Sequence, residues 1–69
     1  MQTLIFNTTE KTVKFRNDSD EVSRYENIST VKCSELGFYE VMQKIDEESY
    51  TSIPVFRVPI ANTNMRIEK

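Results

Sequence analysis

The sequence predicts a mainly β domain, either a small antiparallel sheet or a barrel-like fold of five to six short strands. Valine, isoleucine and threonine account for 19 of the 69 residues, whereas leucine and alanine account for three. Branched side chains fit a pleated sheet and lose rotamer freedom in a helix. Short apolar or alternating runs are also separated by polar turn segments, which is typical of small β folds. One α+β alternative stays open, with residues 34–45 as a helix packed on the sheet.

The first two apolar runs predict a hairpin. Residues 2–7 (QTLIFN) form a compact apolar run, and residues 11–16 (KTVKFR) alternate between apolar and polar side chains. Alternation with a period of two is typical of a strand with one face in the core. We therefore expect Val13 and Phe15 on the core face. The opposite face would carry Thr12, Lys14 and Arg16.

The next segment is polar and short. Asp18 and Glu21 lie three residues apart and match a capping box, which predicts one helical turn. Val22 and Tyr25, also three residues apart, would share one side of that turn.

A third strand is predicted over residues 28–33, with Ile28 out of step and Cys33 as a small buried side chain. Residues 34–45 fit either a helix, by the spacing of their apolar residues, or a strand, by their β-prone composition. The only glycine, Gly37, favours a turn that opens a strand, because glycine adopts positive φ at no steric cost. We therefore favour the strand over the helix for this segment.

The C-terminal third contains the most β-prone stretch, residues 50–60 (YTSIPVFRVPI). Proline cannot donate to a strand ladder, so Pro54 and Pro59 predict a sheet edge or a strand broken into a short piece. Residues 65–68 predict a last short strand. Turns are expected at 46–49 and 61–64.

The composition excludes the common catalytic machinery. The chain has no histidine, one cysteine and one glycine, which removes the usual general base, a cysteine–histidine pair and the glycine-rich phosphate loops. The acids Asp18, Asp20 and Glu21 lack the glycine and the distal glutamate of a calcium loop. We therefore expect a protein that is not an enzyme, with no catalytic residues, no metal site and no cofactor.

Charge and length suggest the kind of partner. The net charge of −2 disfavours nucleic acid, which needs a basic field to displace counterions. No stretch reads as a signal peptide or a membrane span, and a lone thiol is typical of a reducing compartment, so we expect a cytoplasmic protein.

The 69 residues form one domain near the lower size limit for independent folding. We therefore expect a homo-oligomer.

The first functional hypothesis is a small binding protein that occupies a protein partner's surface. Apolar side chains alternate onto both faces of the stretch that contains Pro54, so one face would need cover from another molecule. Arg57 would share a face with Val55. It would then lie at a boundary, pair with an acid or reach a ligand or partner, unless it occupies an exposed edge position. The predicted contact residues are Tyr50, Ile53, Val55, Phe56, Arg57 and Val58.

The alternative is an oligomeric protein that binds or sequesters a small phosphate-bearing ligand such as a nucleotide. Its predicted ligand residues are Lys14, Arg16 and Arg57. In size and in its scarcity of glycine and histidine, the chain resembles small accessory proteins of tailed bacteriophages. That resemblance covers no motif. It implies a protein that binds and blocks a host factor, or a small assembly that sequesters a nucleotide signal.

Overall fold

The computed structural model describes residues 1–46, 48 and 51–69 and confirms a mainly β fold. Seven strands lie in this described part, one or two more than the sequence predicts. Residues 34–45 contain a strand and no helix, so the α+β alternative is wrong. The strands are β1 (Gln2–Asn7), β2 (Thr12–Arg16), β3 (Val22–Tyr25), β4 (Ile28–Cys33), β5 (Phe38–Lys44), β6 (Ser52–Pro59) and β7 (Thr63–Glu68).

The strands form two sheets. The first sheet has four strands in the order β3-β2-β1-β7, and the second has three in the order β4-β5-β6. All neighbours are antiparallel except β1 and β7, which run parallel from the pair Gln2–Thr63 to the pair Asn7–Glu68. The two ends of the chain are therefore neighbours in one sheet.

A single apolar cluster joins the inner faces of the two sheets. The first sheet contributes side chains from alternate positions of β1 and β2, and the second contributes one buried residue from each strand. Phe56 of β6 adds a ring that packs edge-on against Phe15, with centroids 4.8 Å apart, and stacks on Tyr25 at 5.3 Å. The buried members of the cluster are Leu4, Val13, Phe15, Ile28, Val41 and Val58.

The predicted helical turn after residue 18 is wrong. Residues Val22–Tyr25 instead form β3, which pairs with residues 13–16 of β2. The preceding loop is organised by Asn17 rather than by Asp18. The Asn17 Oδ1 atom accepts hydrogen bonds from the backbone N–H groups of Ser19, at 2.9 Å, and Glu21, at 3.1 Å. An asparagine turn of this kind brings the chain back as a strand.

The second hairpin follows the sequence closely. Gly37 has φ +89° in the turn before β5, as its being the lone glycine predicts. The strand register shifts between Ile28 and Thr30, so Ile28 is out of step as expected. Cys33 lies on a strand but is exposed, which corrects the prediction of burial. It is the last residue of β4, an edge strand, and the core does not extend that far.

β6 is an edge strand, as Pro54 and Pro59 predict. Its register against β5 shifts, so that Val41 pairs with Phe56 whereas Met42 pairs with Pro54. Val55 is therefore the extra residue of a β-bulge. Both Val55 and its neighbour Phe56 pack against the core. A short 3₁₀ turn at Ile60–Asn62 then leads into β7, where the sequence predicts a turn.

Candidate functional site

The predicted contact residues on β6 do not form one surface. Val58 belongs to the core, Val55 and Phe56 are partly buried and pack against it, and Ile53 is 45% exposed. Tyr50 lies outside the described residues. The alternation that suggested two apolar faces is interrupted by the bulge, which turns Val55 inward beside Phe56.

Arg57 points away from the core and does not share a face with Val55, because the bulge separates them. Its Nη2 atom lies 3.9 Å from Oε2 of Glu40, directly across on β5. The arginine side chain is 57% exposed, so this ion pair is a surface pair of small energetic value. Of the alternatives that the sequence leaves open for Arg57, two are observed together: an exposed position on an edge strand and a pair with an acid of the same chain.

The three predicted ligand residues divide into two groups. Lys14 and Arg16 alternate with buried Val13 and Phe15, so they project from the outer face of the first sheet. Arg57 projects from the outer face of the second sheet. Since the two sheets pack by their inner faces, these outer faces point in opposite directions. Arg57 does not converge on a ligand with the other two.

Strand register adds two arginines to Lys14 and Arg16. Arg24 on β3 pairs directly with Lys14, and Ile5 on β1 pairs with Lys14 on one side and Arg66 on the other. Arg24, Lys14, Ile5 and Arg66 therefore form one row across the four strands. We call the four cations of this surface, Lys14, Arg16, Arg24 and Arg66, the basic face.

Sequence reasoning missed two of these residues, although a signal was present. Arg24 lies between Ser23 and Tyr25, and Arg66 lies between Met65 and Ile67. In a strand each arginine takes the face opposite to its neighbours. What the sequence does not contain is the register that aligns them with Lys14.

The basic face carries few compensating acids. Glu26 lies 3.5 Å from Arg24 and Glu68 lies 3.8 Å from Arg66, both as exposed pairs. In the described part of the chain, no carboxylate comes within 4.0 Å of Lys14 or Arg16. Like charges directly opposite on neighbouring strands destabilise a sheet. The Lys14–Arg24 pair is therefore a local cost that packing elsewhere must offset.

The charges of the whole chain are segregated in the same way. Seven of the nine lysines and arginines lie on strands. Among the described acids, only Glu40 and Glu68 do, and the others lie in turns, loops and connections. The surfaces of the sheets are thus basic although the net charge is −2.

A scan against protein-family models, a search of curated proteins and a search of solved structures each find no significant match.

The shape of the basic face is that of a contact surface. Four strands spaced about 4.8 Å apart make it roughly 15 Å wide. Two hollows of the described residues border it: one of about 110 Å³ beside Lys14, lined also by Glu10 and Glu68, and a wider one of about 490 Å³ beside Arg24, lined also by Glu10 and Glu26. Small-molecule sites usually enclose about 300–1,000 Å³. The smaller hollow falls below this range and the larger one is wide open to solvent, so the basic face does not form an enclosed site.

Two further observations concern metal ions and membranes. Within the described residues, no group of three cysteine, aspartate or glutamate side chains is arranged to hold a metal ion. That part of the chain also offers no helix with the length and apolarity needed to cross a bilayer.

Proposed function

We propose that this protein is a small, non-enzymatic binding protein that docks through its basic face on an acidic surface of a partner protein. The observation that carries the proposal is the cross-strand row of Arg24, Lys14 and Arg66, with Arg16 beside it. An acidic partner would remove the repulsion between Lys14 and Arg24, so association relieves a strain that the free protein bears. By occupying that surface, the protein would block other ligands of the partner.

The composition of the face supports a protein partner. Ile5 and the 58% exposed Val22 lie among the cations, so the surface mixes apolar area with arginine. Arginine beside apolar side chains is characteristic of interface hot spots. Arg24 and Arg66 hold their own acids only weakly, because both pairs are exposed. They can exchange these acids for carboxylates of a partner at little cost.

Nucleic acid fits the same surface less well. A strand of DNA or RNA extends beyond a 15 Å patch and continues over the neighbouring loops. Asp20 and Glu21, in the loop between β2 and β3, are exposed at the edge of the face. A uniform polyanion would be repelled there, whereas a protein surface can place its own cation opposite.

The experiment is a titration of ¹⁵N-labelled protein with two polyanions of equal charge, a glutamate-rich peptide and single-stranded DNA. We expect the peptide to shift the amides of β2, β3 and β7, and higher salt to weaken it. The double variant Lys14→Glu/Arg16→Glu should bind the peptide with an affinity lower by about tenfold or more, since each charged contact contributes about 1 kcal/mol or more. A matched control, Lys32→Glu/Lys69→Glu, changes the net charge equally and should bind like the wild type.

Equal losses in both double variants would show a response to net charge alone and would overturn the proposal. Peptide shifts confined to other surfaces would overturn it as well. Tighter binding of DNA than of the peptide would assign the face to nucleic acid instead.

A further inference from the structure

A second candidate site lies at one end of the molecule, where Glu10 and Asn27 separate it from the basic face. A cavity of about 510 Å³ opens where the β1–β2 turn, the β3–β4 connection and the end of β5 meet. Its walls come from residues 9–11, residues 27–28, Lys44 and Asp46. This volume falls within the range of small-molecule sites, about 300–1,000 Å³.

Hydrogen bonds between the three segments fix the cavity in place. The backbone N–H of Ile28 donates to the carbonyl of Lys11 at 2.9 Å, and that of Lys44 donates to the carbonyl of Asn27 at 3.0 Å. Asn7 Oδ1 accepts from the N–H groups of residues 9 and 10, at 3.0 and 2.8 Å. The walls are therefore formed before a ligand binds, so binding would cost little conformational entropy of the protein.

Lys11 occupies a backbone conformation that favours other residues. Its φ is +57°, in the left-handed region, and Asn27, on the facing wall, also has φ +57°. Asparagine tolerates this region, whereas other side-chain-bearing residues pay about 1–2 kcal/mol for it. A glycine or an asparagine at position 11 would form the same turn at lower cost. The turn therefore gives no reason for a lysine at this position.

Two lysines line the cavity, and neither forms an ion pair within the described residues. Lys11 is exposed and Lys44 is half-buried, and no carboxylate of the described residues comes within 4.0 Å of either. Asp46, at the same cavity, accepts a hydrogen bond from the N–H of Glu48 at 3.0 Å. Two unpaired lysines beside a preformed cavity provide a site for a compact anion.

We infer that this cavity binds a small phosphorylated molecule that carries hydroxyl groups. Lys11 and Lys44 hold the phosphate as point charges. The side chains of Asn27, Thr9 and Glu10 supply donors and acceptors for hydroxyl groups. The inference does not depend on the basic face, because none of its four cations lines this cavity.

The test uses the full chain and ribose 5-phosphate, with ribose and inorganic phosphate as partial ligands and adenosine monophosphate as a larger one. Calorimetry measures affinity, and amide shifts locate the site. We expect ribose 5-phosphate to shift residues 9–11, 27–28 and 44 and to bind more tightly than either of its parts.

The decisive variant is Lys11→Asn, because the two roles of this residue predict opposite results. Asparagine relieves the left-handed backbone, so the melting temperature should rise or stay unchanged, while affinity falls about tenfold or more. Lys32→Asn, on an exposed strand position, is the control and should leave affinity unchanged. Absence of binding by every phosphate compound would overturn the inference. Equal loss in both variants, or amide shifts on β2 and β3, would also overturn it.

Discussion

Thr63 is the residue whose chemistry fits its surroundings least. It is 5% exposed at the start of β7, and its Oγ1 atom is buried without a hydrogen-bond partner in the described structure. A buried hydroxyl that makes no hydrogen bond costs about 1–3 kcal/mol of desolvation. Its β-branched shape suits the strand, so the cost resides in the oxygen alone.

We therefore expect Thr63→Val to raise the free energy of unfolding by roughly 1 kcal/mol, since it keeps the branched shape and removes the unsatisfied hydroxyl. Urea denaturation followed by circular dichroism measures the change. Thr30→Val, at an exposed strand position, is the control and should stay within about 0.5 kcal/mol of the wild type. A fall in stability for Thr63→Val would show that its hydroxyl has a partner in solution, such as a buried water.

At the scale of single elements, β6 shows what one bulge does to a functional interpretation. Strict alternation would place Val55 and Phe56 on opposite faces of an edge strand, and one of those faces would then need a partner. The register shift opposite Val41 and Met42 allows both side chains to pack inward. Nothing in the sequence marks this bulge, because it depends on how β6 meets β5.

Phe56 is consequently expected to behave as a core residue. Replacing it with leucine keeps an apolar side chain but removes the ring contacts with Phe15 and Tyr25, which contribute about 0.5–1.5 kcal/mol. We expect Phe56→Leu to lower the free energy of unfolding by at least that amount, as measured in urea. Phe38→Leu, on the outer face of β5, is the matched control and should cost less. If Phe56→Leu left the free energy of unfolding unchanged, Phe56 would again be a candidate contact for a partner, as the sequence predicts.

The other elements show which signals a sequence carries. Alternation predicts β2 and the faces of Val13 and Lys14, and the lone Gly37 predicts the turn before β5. β3 was missed because a capping-box spacing in a polar loop resembles a helix start, whereas Asn17 forms the turn. These are local features, and the errors arise where two local patterns compete.

At the scale of the whole molecule, the features that could not be predicted are those that join distant residues. The parallel pairing of β1 with β7 links Gln2 to Thr63 and Asn7 to Glu68. That pairing is also what places Arg66 beside Ile5 and completes the basic face. A polar alternation assigns each arginine to a face of its strand. Only the tertiary register shows that four cations share one surface.

The same pairing predicts that the last strand is required for folding. β7 covers one edge of β1, buries Thr63 and places Met65 against the core. A chain of this length has about 3–10 kcal/mol of stability to lose. We expect a chain ending at Asn62 to lose its cooperative thermal transition, as followed by circular dichroism, and its dispersed amide spectrum.

Deletion of Lys69 alone is the control for that truncation, because it lies beyond β7 and removes no strand pairing. It should melt within a few degrees of the full chain. A truncated chain that still melted cooperatively near the same temperature would mean that six strands suffice. The parallel strand would then serve to present Arg66 on the basic face rather than to hold the fold together. Peptide affinity of the truncated chain, compared with that of Arg66→Gln, would measure that role directly.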